Sequence, residues 1–446
     1  MGVSRFPAYL SSVIASLLSV LDGRIHGRVG RILAGMLLAS DKRRTASKWF
    51  RAGGIGAEFK LAYRHLASVG RESKAVATRV LRAVADHAAG QAGDKVVIAL
   101  DDTLTKRYGP HVEGAGIHHN PTPGPAGSDL AYGHNYVVAA QVVKHPEHGT
   151  IPLPLRAEMY VRKADVAKLP PHYKWEFQTK LELAVKILEW LAIWLLSPGK
   201  PVWIAADGGY AKKPILDACR RLGFVLVSRL RKDAALYEVP KTPKKGMGRG
   251  RPRKYGAKRI DLAKRAAHAK GWTTESFVLY GKPVTKKYKT FLATWKPAGG
   301  VIRVVVVKED DGWVAFFSNK ADATVAEILG TVADRNAIEQ AFKDVKEVWG
   351  AGQQQLRNVH ANVGAFHLNL WMMTLTELWA WDQPDAVLVD RADRPWDNKP
   401  RRPSHNDRRK SLRRHVLRAE LNRLPRRGPG SRLFPRACER LLGLAA

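Results

Sequence analysis

Three acids, Asp101, Asp207 and Glu339, stand where a fold could gather their carboxylates into one pocket. Asp101 closes the apolar run Lys95-Val-Val-Ile-Ala-Leu, Asp207 closes Pro201-Val-Trp-Ile-Ala-Ala, and Glu339 lies in a helical stretch far downstream. Acids at the carboxyl ends of neighbouring strands converge on one edge of a sheet, and a helix packed across that edge can add a third. Carboxylates so gathered repel one another and are neutralised by hard divalent cations with oxygen ligands. Two such ions about 3.5–4 Å apart clamp the attacking and leaving oxygens of an in-line phosphoryl displacement. An anionic pocket is otherwise anomalous in a chain of net charge +35.

The residues around the acids extend this reading. Arg335, Glu339 and Lys346 are four and seven residues apart, so they share one helix face and could set phosphates beside a metal. Ile338, Phe342, Val345 and Trp349 form the adjacent apolar stripe that fixes the helix to the core. The plain alternative is an amphipathic helix with an i,i+4 salt bridge. Asp102 competes with Asp101 as the ligand, because successive strand residues face opposite sides. Thr103 and Lys106 lie close enough to reach DNA. His111, His118, His119 and His134 surround a Gly/Pro-rich loop and are read as polar surface or a structural metal site. Tyr210 could stack on a base or simply pack. Gln353, Gln354, Gln355 and Arg357 could contact DNA or cap a loop.

The elements that must hold these groups follow from composition and period. At 446 residues, with 45% hydrophobic side chains and 13 Trp, the chain is folded and long enough for several domains of roughly 100–200 residues. Seventy-five Lys+Arg against 40 Asp+Glu call for a polyanionic partner, for which nucleic acid is the default. Two cysteines, Cys219 and Cys438, are too few for a zinc finger or a disulfide framework, which suits a reducing compartment. No apolar run reaches the ~18 residues of a membrane span, and no leader peptide is read at the start. The expectation is a cytoplasmic protein with no membrane partner, associated with the nucleoid of a bacterium.

Residues 1–92 read as helical by their i, i+3, i+4, i+7 pattern. With Arg43, Arg44 and Lys48 before a Gly-rich turn, they are expected to form a DNA-binding domain of the helix-turn-helix kind, or a bundle with a solvated basic face. Residues 93–230 give strands and helices in the order β-β-β-α-β-α-β, a mixed α/β layer whose first strands are antiparallel. Residues 231–320 interrupt it with a basic loop and an all-β insertion. The loop holds Arg249, Arg251, Arg253 and Lys254, an Arg-Gly-Arg-Pro segment resembling the AT-hooks that lie in narrow A·T minor grooves. Residues 321–384 return to helix and carry Glu339, with Leu368, Trp371, Met372, Leu375, Leu378 and Trp379 as a core stripe. Residues 385–446, rich in Arg and Pro, are expected to be a poorly packed basic arm.

The order Asp101, Asp207, β-rich insertion, Glu339 resembles the bacterial insertion-sequence DDE transposases with an RNase H-like catalytic core, in the branch with a Y-x2-R-x3-E-x6-K signature. Arg335, Glu339 and Lys346 match that signature and Val332 replaces its Tyr. The resemblance spans residues 95–381. It implies an RNase H-like mixed sheet split by the insertion, with Asp101, Asp207 and Glu339 holding two Mg2+ ions, for which Mn2+ could substitute. A metal-activated water would cut one strand at a transposon end, and the freed 3′-OH would attack the other strand or target DNA. The partners implied are double-stranded DNA at inverted repeats and target, with a homodimer bridging two ends. The rivals are an RNase H-like nuclease that cuts without joining and a domesticated DNA-binding protein without catalysis.

Overall fold

A computed structural model describes residues 6–39, 43–120, 123, 127–195, 199–240, 253–389, 396 and 401–422. Its centre is a sheet of twelve strands among the described residues, with helices on both faces.

Six helices open the chain: α1 (Ala8–Leu18), α2 (Gly23–Leu38), α3 (Ala46–Ala52), α4 (Phe59–Arg71), α5 (Ser73–Asp86) and α6 (Ala88–Gln91). Each turns an apolar stripe inward, and α2 is capped by Asp22, whose side chain accepts from the Arg24 amide. Next come β1 (Val96–Lys106), β2 (Gly116–His119), β3 (Leu130–His145), β4 (Gly149–Tyr160), α7 (Lys163–Val166), α8 (Lys180–Leu195), β5 (Val202–Ala206), α9 (Lys213–Leu222) and β6 (Val225–Leu230). β1 pairs antiparallel with β3 and parallel with β5, β4 lies against β3, and β6 lies parallel to β5. The order β4-β3-β1-β5-β6 buries β1 and β5 on both faces, which is why Val96–Leu100 and Val202–Ala206 are continuous apolar runs rather than alternating ones.

The β-rich segment is not a separate sheet. After β7 (Leu236–Tyr237), β8 (Arg259–Ile260) and α10 (Leu262–Ala267) come β9 (Thr273–Leu279), β10 (Lys282–Trp295), β11 (Gly300–Glu309) and β12 (Gly312–Ser318). β12 pairs antiparallel with β6 from Ala315↔Leu230 to Ser318↔Val227, so this segment extends the central sheet past its edge. Pairing covers backbone donors and acceptors of β6 that would otherwise be an open edge.

Two long helices follow, α11 (Val325–Glu347) and α12 (Val359–Ala380). α11 starts in a capping box: Thr324 Oγ1 accepts from the Glu327 amide at 3.1 Å while Glu327 accepts from the Thr324 amide at 2.8 Å. α12 is buried around almost its whole circumference, and the expected stripe from Leu368 to Trp379 is core. It is flanked by β4 and by α4, which it approaches closely through two glycines. A Cβ on Gly70 would sit 1.8 Å from the His360 carbonyl, and one on Gly364 would sit 2.0 Å from that of Leu66. The N-terminal helices are therefore packed directly onto the core helix.

The chain continues through α13 (Asp385–Leu388) to α14 (His405–Asn422). The expected poorly packed arm is overturned over α14, where Arg408, Arg409, Leu412 and Val416 are buried. Glu377 of α12 is the physical reason. Fully buried, it accepts from His405 Nδ1 and Arg408 Nη1, each at 2.5 Å, while Trp349 Nε1 donates to His405 Nε2 at 2.7 Å. Residues 423–446 lie outside the described residues. Among the described residues no helix is long and apolar enough to cross a membrane.

Candidate active site

The β1–β5 register positions the first two acids. Leu100 lies opposite Ala206 in this parallel pair, so Asp101, still within β1, and Asp207, just past the end of β5, follow side by side where the pairing ends. Asp207 begins a tight turn: its Oδ2 accepts from the Gly209 amide at 3.1 Å, and its carbonyl accepts from Ser228 Oγ. α11 packs across β1 and β5 and brings Glu339 to the same place from above.

The three acids meet around one guanidinium. Arg335 Nη1 donates to Asp101 Oδ2 at 2.6 Å, and Arg335 Nη2 donates to Glu339 Oε1 at 3.0 Å and lies 4.0 Å from Asp207 Oδ1. Asp207 and Glu339 stay half-exposed or more, while Asp101 is recessed. Burial pushes the Asp101 carboxyl up to about 6; Arg335 and the Asp102 amide pull it down, and Asp102 and Asp207 push it up further.

Asp102 is engaged elsewhere. Its Oδ2 accepts from Lys180 Nζ at 2.6 Å and Asn135 Nδ2 at 3.1 Å, and its Oδ1 accepts from Tyr210 OH at 3.2 Å. Four of the possible acceptor sites on a carboxylate are not all filled by three donors, but both oxygens are drawn away from Arg335. Tyr210 thus packs, buried, and its hydroxyl is held protonated by burial and by the acids around it.

The donor set suits a hard divalent cation. All three side chains offer carboxylate oxygens, two of them open to solvent, and a cationic guanidinium already sits among them as a stand-in. One positive charge against three negative leaves the pocket anionic, which favours further cations. The donor types of Asp101, Asp207 and Glu339 therefore suit a metal, while the arrangement around Arg335 keeps their oxygens from all lying within 4.8 Å of one another.

Two lysines flank it. Lys346 lies half-buried in the last turn of α11, and burial, then the charge of Lys106, push its ammonium below its ordinary pKa. Two cations so placed suit phosphate oxygens. Other basic residues expected at DNA fall differently. Arg43 is exposed, Lys48 is half-buried on α3, and Arg253 and Lys254 are exposed; Arg249 and Arg251 lie outside the described residues. Arg44 is buried, and its Nη1 donates to the Glu347 carbonyl at the end of α11, so its guanidinium serves as a helix cap. Gln353 and Gln354 tie their loop to the N-terminal helices through the Arg44 amide and carbonyl.

The loop histidines do not gather. His134 is fully buried and bonded to Arg107 and to the Glu113 carbonyl. Among the described residues, the group of three side chains whose ligand atoms lie within 4.8 Å of one another is instead Glu147, His148 and Asp385, at the β3–β4 turn. His148 Nε2 lies 3.2 Å from Asp385 there. Sequence reasoning missed that group because its members are joined only by folding. It also missed Arg107, whose signal was present as a lone Arg directly after a strand of the catalytic sheet.

A mixed sheet with acids at adjoining strand ends and a carboxylate-bearing helix laid across them is an arrangement that suits metal-dependent phosphoryl transfer. The family model for DDE superfamily endonucleases matches residues 23–295, more than half of the chain, and the protein belongs to that family. A DDE endonuclease acts on DNA with a divalent metal. No curated relative matches the chain.

Proposed function

We propose that the protein is the DNA transposase of an insertion sequence, cutting at the ends of its element and joining the 3′-OH ends to target DNA. The observation that carries this reading is the convergence of Asp101, Asp207 and Glu339 on the Arg335 guanidinium. The spacing Arg335, Glu339, Lys346 on one helix supports the transposase branch over a generic nuclease.

In this reading Asp101, Asp207 and Glu339 hold two Mg2+ ions, with Mn2+ as a substitute. When bound, such ions activate the attacking oxygen and neutralise charge on the phosphate. With the cations bound, Arg335 would be released from the acids and could face the scissile phosphate. Lys106 and Lys346 bind the neighbouring phosphates, and Lys180, Asn135 and Tyr210 hold Asp102 out of the way. Arg43, Lys48, Arg253 and Lys254, with Arg249 and Arg251, extend the contact to DNA farther out. Holding two element ends calls for a homodimer assembled on DNA.

The test uses a donor plasmid carrying the DNA that flanks this gene, purified protein and Mg2+, with sequencing of the products. Cuts at inverted ends joined to new DNA, absent with Glu339→Gln, are expected. Cuts without joining would leave a nuclease, and binding without metal-dependent cutting would leave a DNA-binding protein that has lost catalysis.

A further inference from the structure

Past Lys106 the chain leaves β1 through residues 107–112, facing the 352–357 loop that follows α11. Between the two loops runs a groove of about 850 Å3, lined in part by Arg43, Arg107, Tyr108, His111, Gln353 and Arg357. No acid is among its lining residues.

Arg107 is the anomaly there. It is 5% exposed, and its Nε donates to His134 Nδ1 at 3.0 Å. That histidine is a neutral partner: burial lowers its pKa to about 3, and its Nε2 donates to the Glu113 carbonyl at 2.9 Å. The carboxylate of Glu113 is engaged away from Arg107, accepting from Tyr173 OH at 3.1 Å and from the Val359 amide at 2.8 Å. The guanidinium also meets the neutral Tyr136 hydroxyl, but its Nη1 is buried with no hydrogen-bond partner, and a Cβ on Gly352, across the groove, would lie 3.9 Å from it. A desolvated guanidinium with no carboxylate beside it is costly unless an anion completes it. Arginine presents donors in a fork that matches phosphate oxygens. Arg43 and Arg357 are exposed on the same walls, and Tyr108, 80% exposed, stands over the opening.

We propose that this groove binds the phosphodiester backbone of the DNA flanking the cleavage site, with Arg107 as the phosphate anchor, Arg43 and Arg357 beside it, and Tyr108 against a sugar or base. The proposal rests on the reading of the acidic triad as the cleavage site. Arg107 lies six residues along the chain from Asp101, one past the end of β1. At about 3.3 Å per residue that is roughly 20 Å. A DNA strand covers that distance in a few nucleotides, so the anchored phosphate lies a few nucleotides from the scissile one.

The experiment measures binding of the full chain to a fluorescent 30-base-pair duplex in EDTA across a salt series, alongside Mg2+-dependent cleavage of the same DNA. Arg357→Ala and Tyr108→Ala alter exposed side chains, so they test the groove whether or not Arg107→Gln folds. Severalfold weaker binding is expected for all three, with the log–log salt slope flatter by about 0.9 for each of the two arginine variants. Ethylating single phosphates should mark one a few nucleotides from the cut, a mark that Arg107→Gln erases. Unchanged affinity and slope in Arg357→Ala and Tyr108→Ala would overturn the proposal even if the wild type cuts. A wild type that binds through the groove yet cuts nothing would sink the triad reading and leave the groove as a DNA site.

Discussion

Arg335 donates to Asp101 at 2.6 Å across the gap between α11 and β1, and the same guanidinium bonds Glu339 one turn along its own helix. It therefore acts as the internal counter-ion of the acidic pocket and competes with any metal for it. Arg335→Gln removes that competitor and leaves three carboxylates facing one another. Mn2+ should bind the variant severalfold more tightly in calorimetric titration at pH 7.5, while DNA cleavage slows because a phosphate contact is lost. Weaker Mn2+ binding than wild type would show that the guanidinium does not occupy the cation's place.

The acids themselves carry the second prediction. Asp101→Asn, Asp207→Asn and Glu339→Gln keep size and shape while removing the charge that would hold the metal. Each should lower Mg2+-dependent DNA cleavage by about a thousandfold or more, several kcal/mol of transition-state stabilisation. Their melting temperatures should stay near wild type, because Asp207 and Glu339 are exposed and the Asp101 charge is already disfavoured by burial. A variant that still cuts at a tenth of the wild-type rate removes its residue from the triad.

The close approach of α4 to α12 makes a prediction about the N-terminal helices. A methyl group on Gly364 meets the Leu66 carbonyl, a backbone atom that cannot rotate aside. Gly364→Ala should cost about 1–3 kcal/mol or more. One cooperative transition shifted downward as a whole is expected in thermal unfolding. A separate early transition of the N-terminal helices would mean that they fold as an independent unit.

Much of the catalytic layer could be read in advance because it is written in local pattern. Val96–Leu100 and Val202–Ala206 are apolar on both faces and end in acids, which marks buried parallel strands and their active edge. The helix carrying Glu339 is legible in its apolar stripe, while the choice of Glu339 on it rests on the resemblance of Arg335, Glu339 and Lys346 to the Y-x2-R-x3-E-x6-K signature. What could not be read depends on contacts distant in sequence. No period in residues 273–318 says that β12 pairs with β6 rather than closing a sheet of its own. The engagement of Asp102 needs Asn135, Lys180 and Tyr210 from three other elements. Composition misled at α14, where a run of arginines counts as solvated until Glu377, an acid inside an apolar stripe, supplies a buried partner. That acid was the missed signal.

Glu377 accordingly yields a prediction of its own. Glu377→Gln leaves Arg408 buried without its counter-charge, and breaking a buried pair from one side costs about 3–5 kcal/mol. The loss should fall on the attachment of α14, so limited trypsin digestion is expected to release the C-terminal segment from the variant at protease levels that spare the wild type. Equal digestion patterns would show that α14 is held mainly by Leu412 and Val416.

The pH dependence of stability separates three buried groups by sign. His134 and His367 are buried and neutral, their pKa values lowered to about 3 and about 4 chiefly by desolvation. The unfolded chain takes up their protons near pH 6.5 and the folded chain does not, so each withdraws stability as pH falls below about 6.5. At pH 5 that amounts to roughly 2 kcal/mol per histidine. Asp101 works in the opposite direction. Its folded pKa of about 6 exceeds its ordinary value, so the folded state binds its proton first, and stability rises as pH falls from about 6 toward 4. Melting temperature should drop between pH 7 and pH 5 because two histidines outweigh one acid. His367→Gln should flatten that drop, and Asp101→Asn should steepen it, since the variant keeps the histidine penalty and loses the compensating proton. Three parallel melting curves would mean that neither His367 nor Asp101 differs in proton affinity between the folded and unfolded chain.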